Sequence, residues 1–150
     1  MAFAGNPHIV RKGNGVAQLV KLAEAAGQSY KAGELVYLVS GAVTVCASNA
    51  TVVFGIAQKD ATGTTGAEAY VEPIFPEDDV EMVCSTTVAS TNIGINYADV
   101  VASNVHKLDL SDTSNDMAVL VSPVLDYGGA LTTKAIVHFL PTVCQAVTGA

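Results

Sequence analysis

At 150 residues the chain has the length of one ordinary domain, enough to bury roughly 70% of its unfolded surface around a hydrophobic core without metal or disulfide staples. Half of it is apolar, only 14% is charged, and the net charge is −7 with no Lys/Arg run, which argues against nucleic-acid binding and against attraction to an anionic membrane surface. No stretch approaches the roughly 18 apolar residues of a spanning helix, and MAFAGNPHIVRKGNG lacks the basic-then-apolar order of a secretory signal, so a soluble chain made in a cytoplasm is expected.

Residues 1 to 14 mix His8, Arg11 and Lys12 with Gly5, Pro7, Gly13 and Asn14, a composition that resists regular structure. They read as an extended N-terminal arm, either a disordered terminus or a basic segment pinned to a partner. Residues 15 to 150 read as a single β domain. GVAQLVKLAEAAG (15 to 27) puts Val16, Leu19, Val20 and Ala23 on one helical face. Val20 and Leu22 also suit a strand, which is favoured because the runs that follow need a partner.

Short apolar runs then recur at intervals of about ten residues, the all-β signature. They are ELVYLV (34 to 39), AVTVCA (42 to 47), TVVFGIA (51 to 57), AEAYVEPI (67 to 74), VEMVCST (80 to 86), HKLDL (106 to 110), MAVLVSPV (117 to 124) and KAIVHFLP (134 to 141). Between them lie turn formers: Ser40-Gly41, Ser48-Asn49, KDATGTTG, Pro76 to Asp79, Ser103-Asn104, SDTSND and DYGG. Gly55, inside an apolar run, predicts a bulge or a close backbone approach. In the last strand Ala135, Val137 and Phe139 oppose Ile136, His138 and Leu140, so both faces are apolar and both are expected to be covered. The fold class is thus all-β, a compact barrel or sandwich with an extended arm and little helix.

The chemistry-bearing residues are sparse. Glu77, Asp78, Asp79 and Glu81 crowd IFPEDDVEMVCSTT, but they fall at a turn, where a solvated setting is expected and not the buried, uneven one that acid–base catalysis needs. Asp109, Asp112 and Asp116 in LDLSDTSNDM have the wrong spacing for a calcium loop and fit Asx and Ser turns. His8, His106 and His138 have no ligand at metal spacing, and His138 reads as a core or interface histidine with a satisfied hydrogen bond. Cys46, Cys84 and Cys144 are far apart, odd in number, and read as small apolar core residues. No nucleophile elbow, phosphate cradle or cofactor motif is present, and without tryptophan a stacking platform is poorly supplied. The sequence offers no catalytic residue, metal site or cofactor site.

The shortage of charge points to a covered surface. A folded monomer of this mass has roughly 7,100 Å² of surface, and an ordinary interface hides about 800 Å² per partner, enough to account for much of the deficit. A polar, uncharged monomer surface rich in Ser, Thr, Asn and Gly is the other account.

SYKAGELVYLVSGAVTVCASNATVVFGIAQKDATG (29 to 63), followed by AEAYVEPIFPEDDVEMVCS, resembles the capsid decoration (cement) proteins of tailed bacteriophages. The elements that carry the likeness are Lys31-Ala32-Gly33-Glu34-Leu35-Val36, Gly55-Ile56-Ala57 with Asp60-Ala61, and Val71-Glu72-Pro73-Ile74, with KLDLSDTSNDMAVLVSPV and KAIVHFLP as closing strands. The resemblance covers about 110 residues and brings no catalytic residue with it. It implies a non-enzymatic virion protein on the outer capsid surface, a homotrimer whose partners are the major capsid protein and its own copies. Contact with shell or subunit is expected through Phe3, His8, Ile9, Val10, Arg11 and Lys12 of the arm and Ile136, His138 and Leu140 of the last strand. A β-sandwich module that binds a ligand or carbohydrate is the alternative, and it requires a concave pocket with convergent polar groups.

Overall fold

The computed structural model describes residues 5–15 and 18–148. In chain order the elements are β1 (His8–Arg11), β2 (Val20–Glu24), β3 (Leu35–Val39), β4 (Ala42–Val45), β5 (Gly55–Ala57), β6 (Glu68–Pro73), β7 (Asp79–Val83), a 3₁₀ turn (Ser90–Asn92), β8 (Asn96–Ala102), β9 (Val105–Asp109), β10 (Ala118–Leu125), β11 (Leu131–Phe139) and one helical turn, α1 (Gln145–Thr148). The all-β reading holds, and the segment 15 to 27 supplies a strand.

Strands β2 to β6 close into a barrel in the order β2-β4-β3-β5-β6, with only the β2–β4 pair parallel. The remaining strands form a six-stranded antiparallel sheet, β1-β7-β11-β10-β8-β9. Two hairpins are set by two-residue turns: Ser40-Gly41 (φ 49° and 80°) joins β3 to β4, and Ser103-Asn104 (φ 51° and 64°) joins β8 to β9. Positive φ at both central residues matches the right-handed strand twist. The six-stranded sheet curls until the residues after β7 meet β9, through a parallel bridge between Cys84 and Leu108 and a 2.8 Å bond from Ser85 N to Leu108 O.

A small core fills the barrel: Tyr30, Val36, Val43, Ala57, Ala69 and Val71. The larger core is shared. Leu35, Cys46, Val53 and Ile56 from the barrel side pack with Val80, Met82, Leu120, Val137, Phe139 and others of the sheet. Alternation in β11 falls as the sequence predicts, with Ala135, Val137 and Phe139 buried and Ile136 and His138 half-buried on the outer side. All three cysteines are free and buried.

Four readings need correction. Part of the arm is regular, because His8–Arg11 pairs with β7 as an edge strand. The run 51 to 57 is a strand only over Gly55–Ala57; before it, Val53 bridges to Cys144. β8 lies in a segment with no predicted strand, where Asn96 and Asp99 interrupt the apolar pattern. The helical turn at the end of the chain was also not predicted.

Candidate functional site

The acidic turn before β7 is not simply solvated. Only Glu77 is exposed; Asp78 is buried, and Asp79 and Glu81 are partly covered. What covers them is the arm. Arg11 Nε donates to Asp79 Oδ2 at 2.8 Å, and Lys12 Nζ donates to Asp78 Oδ2 at 2.6 Å. His8 Nε2 stands 3.7 Å from Glu81 Oε1. The basic residues of the arm are therefore matched by four acidic side chains of the same chain, three of which they contact. Arg11 first, and His138 second through a 2.7 Å contact of Nε2 with Oδ1, hold the Asp79 carboxyl below the usual carboxylate range.

Cross-strand register aligns these groups in rows on the outer face of the sheet. His8 opposes Glu81, which opposes Ile136; Arg11 opposes Asp79, and His138 opposes Val119 on the far side. Lys134 adds a cation 3.7 Å from Glu81. The structure thus brings together His8, Arg11, Ile136 and His138, with Val10 exposed beside them after an irregularity in the β1–β7 register. It separates the others. Ile9 and Leu140 turn inward and pack on the larger core. Lys12 is directed into the protein with its side chain 7% exposed, so it is not a surface contact. Phe3 lies outside the described residues.

A second feature extends from the same sheet. β8 pairs with β10 only at Ala118 and Val119, whereas β10 and β11 stay paired out to Leu125 and Leu131. Among the described residues, the outer half of this hairpin has a free edge along β10, where Pro123 has no ladder bond to lose. Val121, Leu125, Tyr127 and Leu131 are exposed along it, with Tyr127 fully exposed at the tip. The tip is ordered by Asp126, whose Oδ1 accepts from Gly128 N and Ala130 N at 2.9 Å.

Beneath the surface lies a triad with no counterpart in the sequence reading. His106 is fully buried, with Nδ1 3.0 Å from Asp99 Oδ2 and Nε2 3.1 Å from Glu34 Oε1. Two contacts between ring nitrogens and carboxylates need two protons, shared over three groups that carry one net negative charge. Burial raises the Asp99 carboxyl above its ordinary range, opposed by its bond to His106. Glu34 Oε2 also accepts from Lys31 N and Asn104 Nδ2, both at 2.8 Å. Asn6 completes the network, accepting from His106 N at 2.8 Å and donating to Asn104 O at 2.9 Å. The arm therefore bonds to β9 before it crosses to β7, and covers the seam where the curled sheet meets itself. Spacing could not reveal this set, since Glu34 and His106 are 72 residues apart.

A further buried carboxylate, Glu24, holds the KDATGTTG loop. It accepts from Gly63 N at 2.6 Å, Thr62 N at 2.9 Å and Thr62 Oγ1 at 3.0 Å. Asp109 and Asp112 make the predicted turns, each accepting the N–H and hydroxyl of the serine two residues on.

Among the described residues no three His, Cys, Asp or Glu side chains are disposed to hold a metal ion. Two open hollows, of about 250 and 350 Å³, are lined by Tyr37 with Cys46 to Val52 and by Gly5, Val83, Val100, Ala102, Val105 and Lys107. No helix of the described residues is long and apolar enough to cross a membrane. Comparison with family models, with curated proteins and with solved structures gives no match to this chain.

Proposed function

We propose that the protein is a non-enzymatic structural component of a virion, a decoration protein that binds the outer surface of a capsid lattice and stabilises the head. The observation that carries this reading is the surface: a projecting, apolar β10–β11 hairpin on a molecule with few exposed charges. Burial of Glu24, Glu34, Asp78 and Asp99, with the near-burial of Lys12, leaves sixteen of 21 charged side chains for 6961 Å², about one per 435 Å². Counting all 21, the surface has about one charge per 330 Å², where a typical composition would supply about one per 190 Å². Such a surface favours contact with other protein. The resemblance of residues 29 to 63 and of the following strands to phage decoration proteins selects the partner, the major capsid protein, and self-association as a homotrimer.

In this reading the hairpin, with its free β10 edge and its tyrosine tip, meets the shell. The outer rows of β1, β7 and β11 remain available to a second copy. Several modest footprints per oligomer add to strong retention through avidity. The net negative charge keeps the molecule off packaged nucleic acid and soluble at high copy number.

The test is co-sedimentation of purified protein with undecorated capsids, together with molar mass by light scattering. Retention on the shells and a mass three times that of the chain are expected. Protein left wholly in the supernatant, with a monomer mass at micromolar concentration, would remove both halves of the proposal.

A further inference from the structure

The end of β1 holds more than an ion pair. Lys12 Nζ lies 2.6 Å from Asp78 Oδ2, and the two side chains are 7% and 1% exposed. The same nitrogen donates to the Pro73 carbonyl at 3.0 Å and lies 5.1 Å from the centre of the Phe75 ring. Asp78 is fixed as firmly: Oδ1 accepts from Gly13 N and Oδ2 from Phe75 N, both at 2.9 Å. A third carboxyl, Glu72, is half-buried next to Pro73 in the chain and lies in the field of both Lys12 and Asp78. Burial raises its pKa, Lys12 opposes the rise and Asp78 adds to it. The neighbourhood holds an amine 2.6 Å from a carboxylate oxygen, backbone donors on both oxygens of that carboxylate, and little water.

We propose that Lys12 and Asp78 condense into an intramolecular isopeptide bond that fastens the N-terminal segment to the turn before β7. One ammonium proton passes to the carboxylate within the pair, giving a neutral amine and a carboxylic acid with no change in net charge. Nζ then attacks Cγ, and the developing negative charge on Oδ1 is held by the Gly13 N–H. The nitrogen then passes a second proton to Oδ2, which leaves as water when the Cγ–Oδ2 bond breaks. One C–N bond forms, one C–O bond breaks, and nothing is oxidised or reduced.

Two physical effects favour the reaction here over the same condensation in solution. The reactants are held in contact, and effective molarities in well-oriented intramolecular reactions reach ~10⁵–10⁸ M. The product also replaces a buried ion pair, which has a desolvation penalty, by a neutral amide in the same place. The bond would close a ring from residue 12 to residue 78 that contains every strand of the barrel. This suits a protein that works under load, although the chemistry does not depend on the capsid reading.

The experiment is the intact mass of the full folded chain, followed by tryptic mapping. The expected mass is that of the sequence less one water, with a branched peptide joining the Lys12 and Asp78 segments and faster migration than Lys12→Arg on a denaturing gel. A wild-type chain that keeps its full sequence mass after prolonged incubation overturns the proposal whatever the variant does. Loss of water that persists in Lys12→Arg overturns it equally.

Discussion

In the barrel every strand has two hydrogen-bonded neighbours, and at Gly55 two main chains approach closely: a Cβ there would stand 2.1 Å from the Glu72 carbonyl oxygen. In the six-stranded sheet closure is incomplete, and at the β7–β9 seam side chains supply bonds that a strand would otherwise make, from Asn6 to His106 N and to Asn104 O. One half is held by backbone fit and the other by a polar network with an arm laid across it. The difference teaches where each is vulnerable. Backbone fit fails by steric intrusion, whereas a polar seam fails when one member loses its partner.

The largest effect is expected from Gly55→Val. Backbone atoms of β6 would have to move away from β5, and a loss of about 3 kcal/mol or more is expected, read as a steep fall in melting temperature by circular dichroism. An unchanged melting temperature would show that the approach of the two strands is not tight. His106→Leu is the matching intrusion at the seam, since it leaves Glu34 and Asp99 buried without their shared donor. Breaking a buried charged cluster in this way costs ~3–5 kcal/mol, measurable as a lower urea midpoint. Replacing Glu34 by Gln and Asp99 by Asn in that background should recover part of the loss. No recovery would mean that the lost packing of the ring matters more than the orphaned carboxylates.

Acid sharpens the comparison because its sign differs between the regions. The Asp79 carboxyl is depressed in the folded state, so its stabilisation is complete above the ordinary carboxylate pKa, about 4, and is lost as pH falls through the lower folded-state value. Asp99 is raised, so its contribution is present in acid and lost as pH rises through its folded-state value. Arg11→Ala should lower the urea midpoint slightly at neutral pH, and the gap from wild type should close as pH falls through the lowered Asp79 value. A gap that persists in acid would mean that Arg11 acts by packing and not by charge. The smallest effect on folding is expected at the hairpin tip. Tyr127→Ser with Leu125→Ser should change stability by no more than about 0.5 kcal/mol, because both side chains are exposed. The same change should reduce retention on capsids, and full retention would point to another surface.

The parts of this molecule that were legible in the sequence are those where a residue's neighbours along the chain decide its setting. β3, β4, β6 and β11 follow from short apolar runs set between turn formers, and the hairpin turns from Ser-Gly and Ser-Asn pairs. Gly55 was readable because a lone glycine in an apolar run has few structural reasons to be there. The rest depended on residues brought together from afar. Asp78 reads as the wet end of a hairpin until Lys12 is folded over it, and Asp99 reads as a break in a strand until His106 is placed 3.0 Å away. β8 was missed for that reason: a buried charge inside a strand looks, in one dimension, like a loop. The arm's basic residues were visible, but not that their partners lie in the same chain.

The reach of these contacts has a kinetic consequence. Asn6 bonds to Asn104 and His106 across 98 and 100 residues, and Gln145 bonds to Leu38 across 107. Ordering such distant segments requires closing long loops before any stabilising contact forms, which places the chain among slow folders. During synthesis Asn6 must wait for about a hundred further residues before it finds its partners. Until then Glu34 lacks its bonds to Asn104 and His106, and unfinished chains depend on completing the C-terminal third quickly.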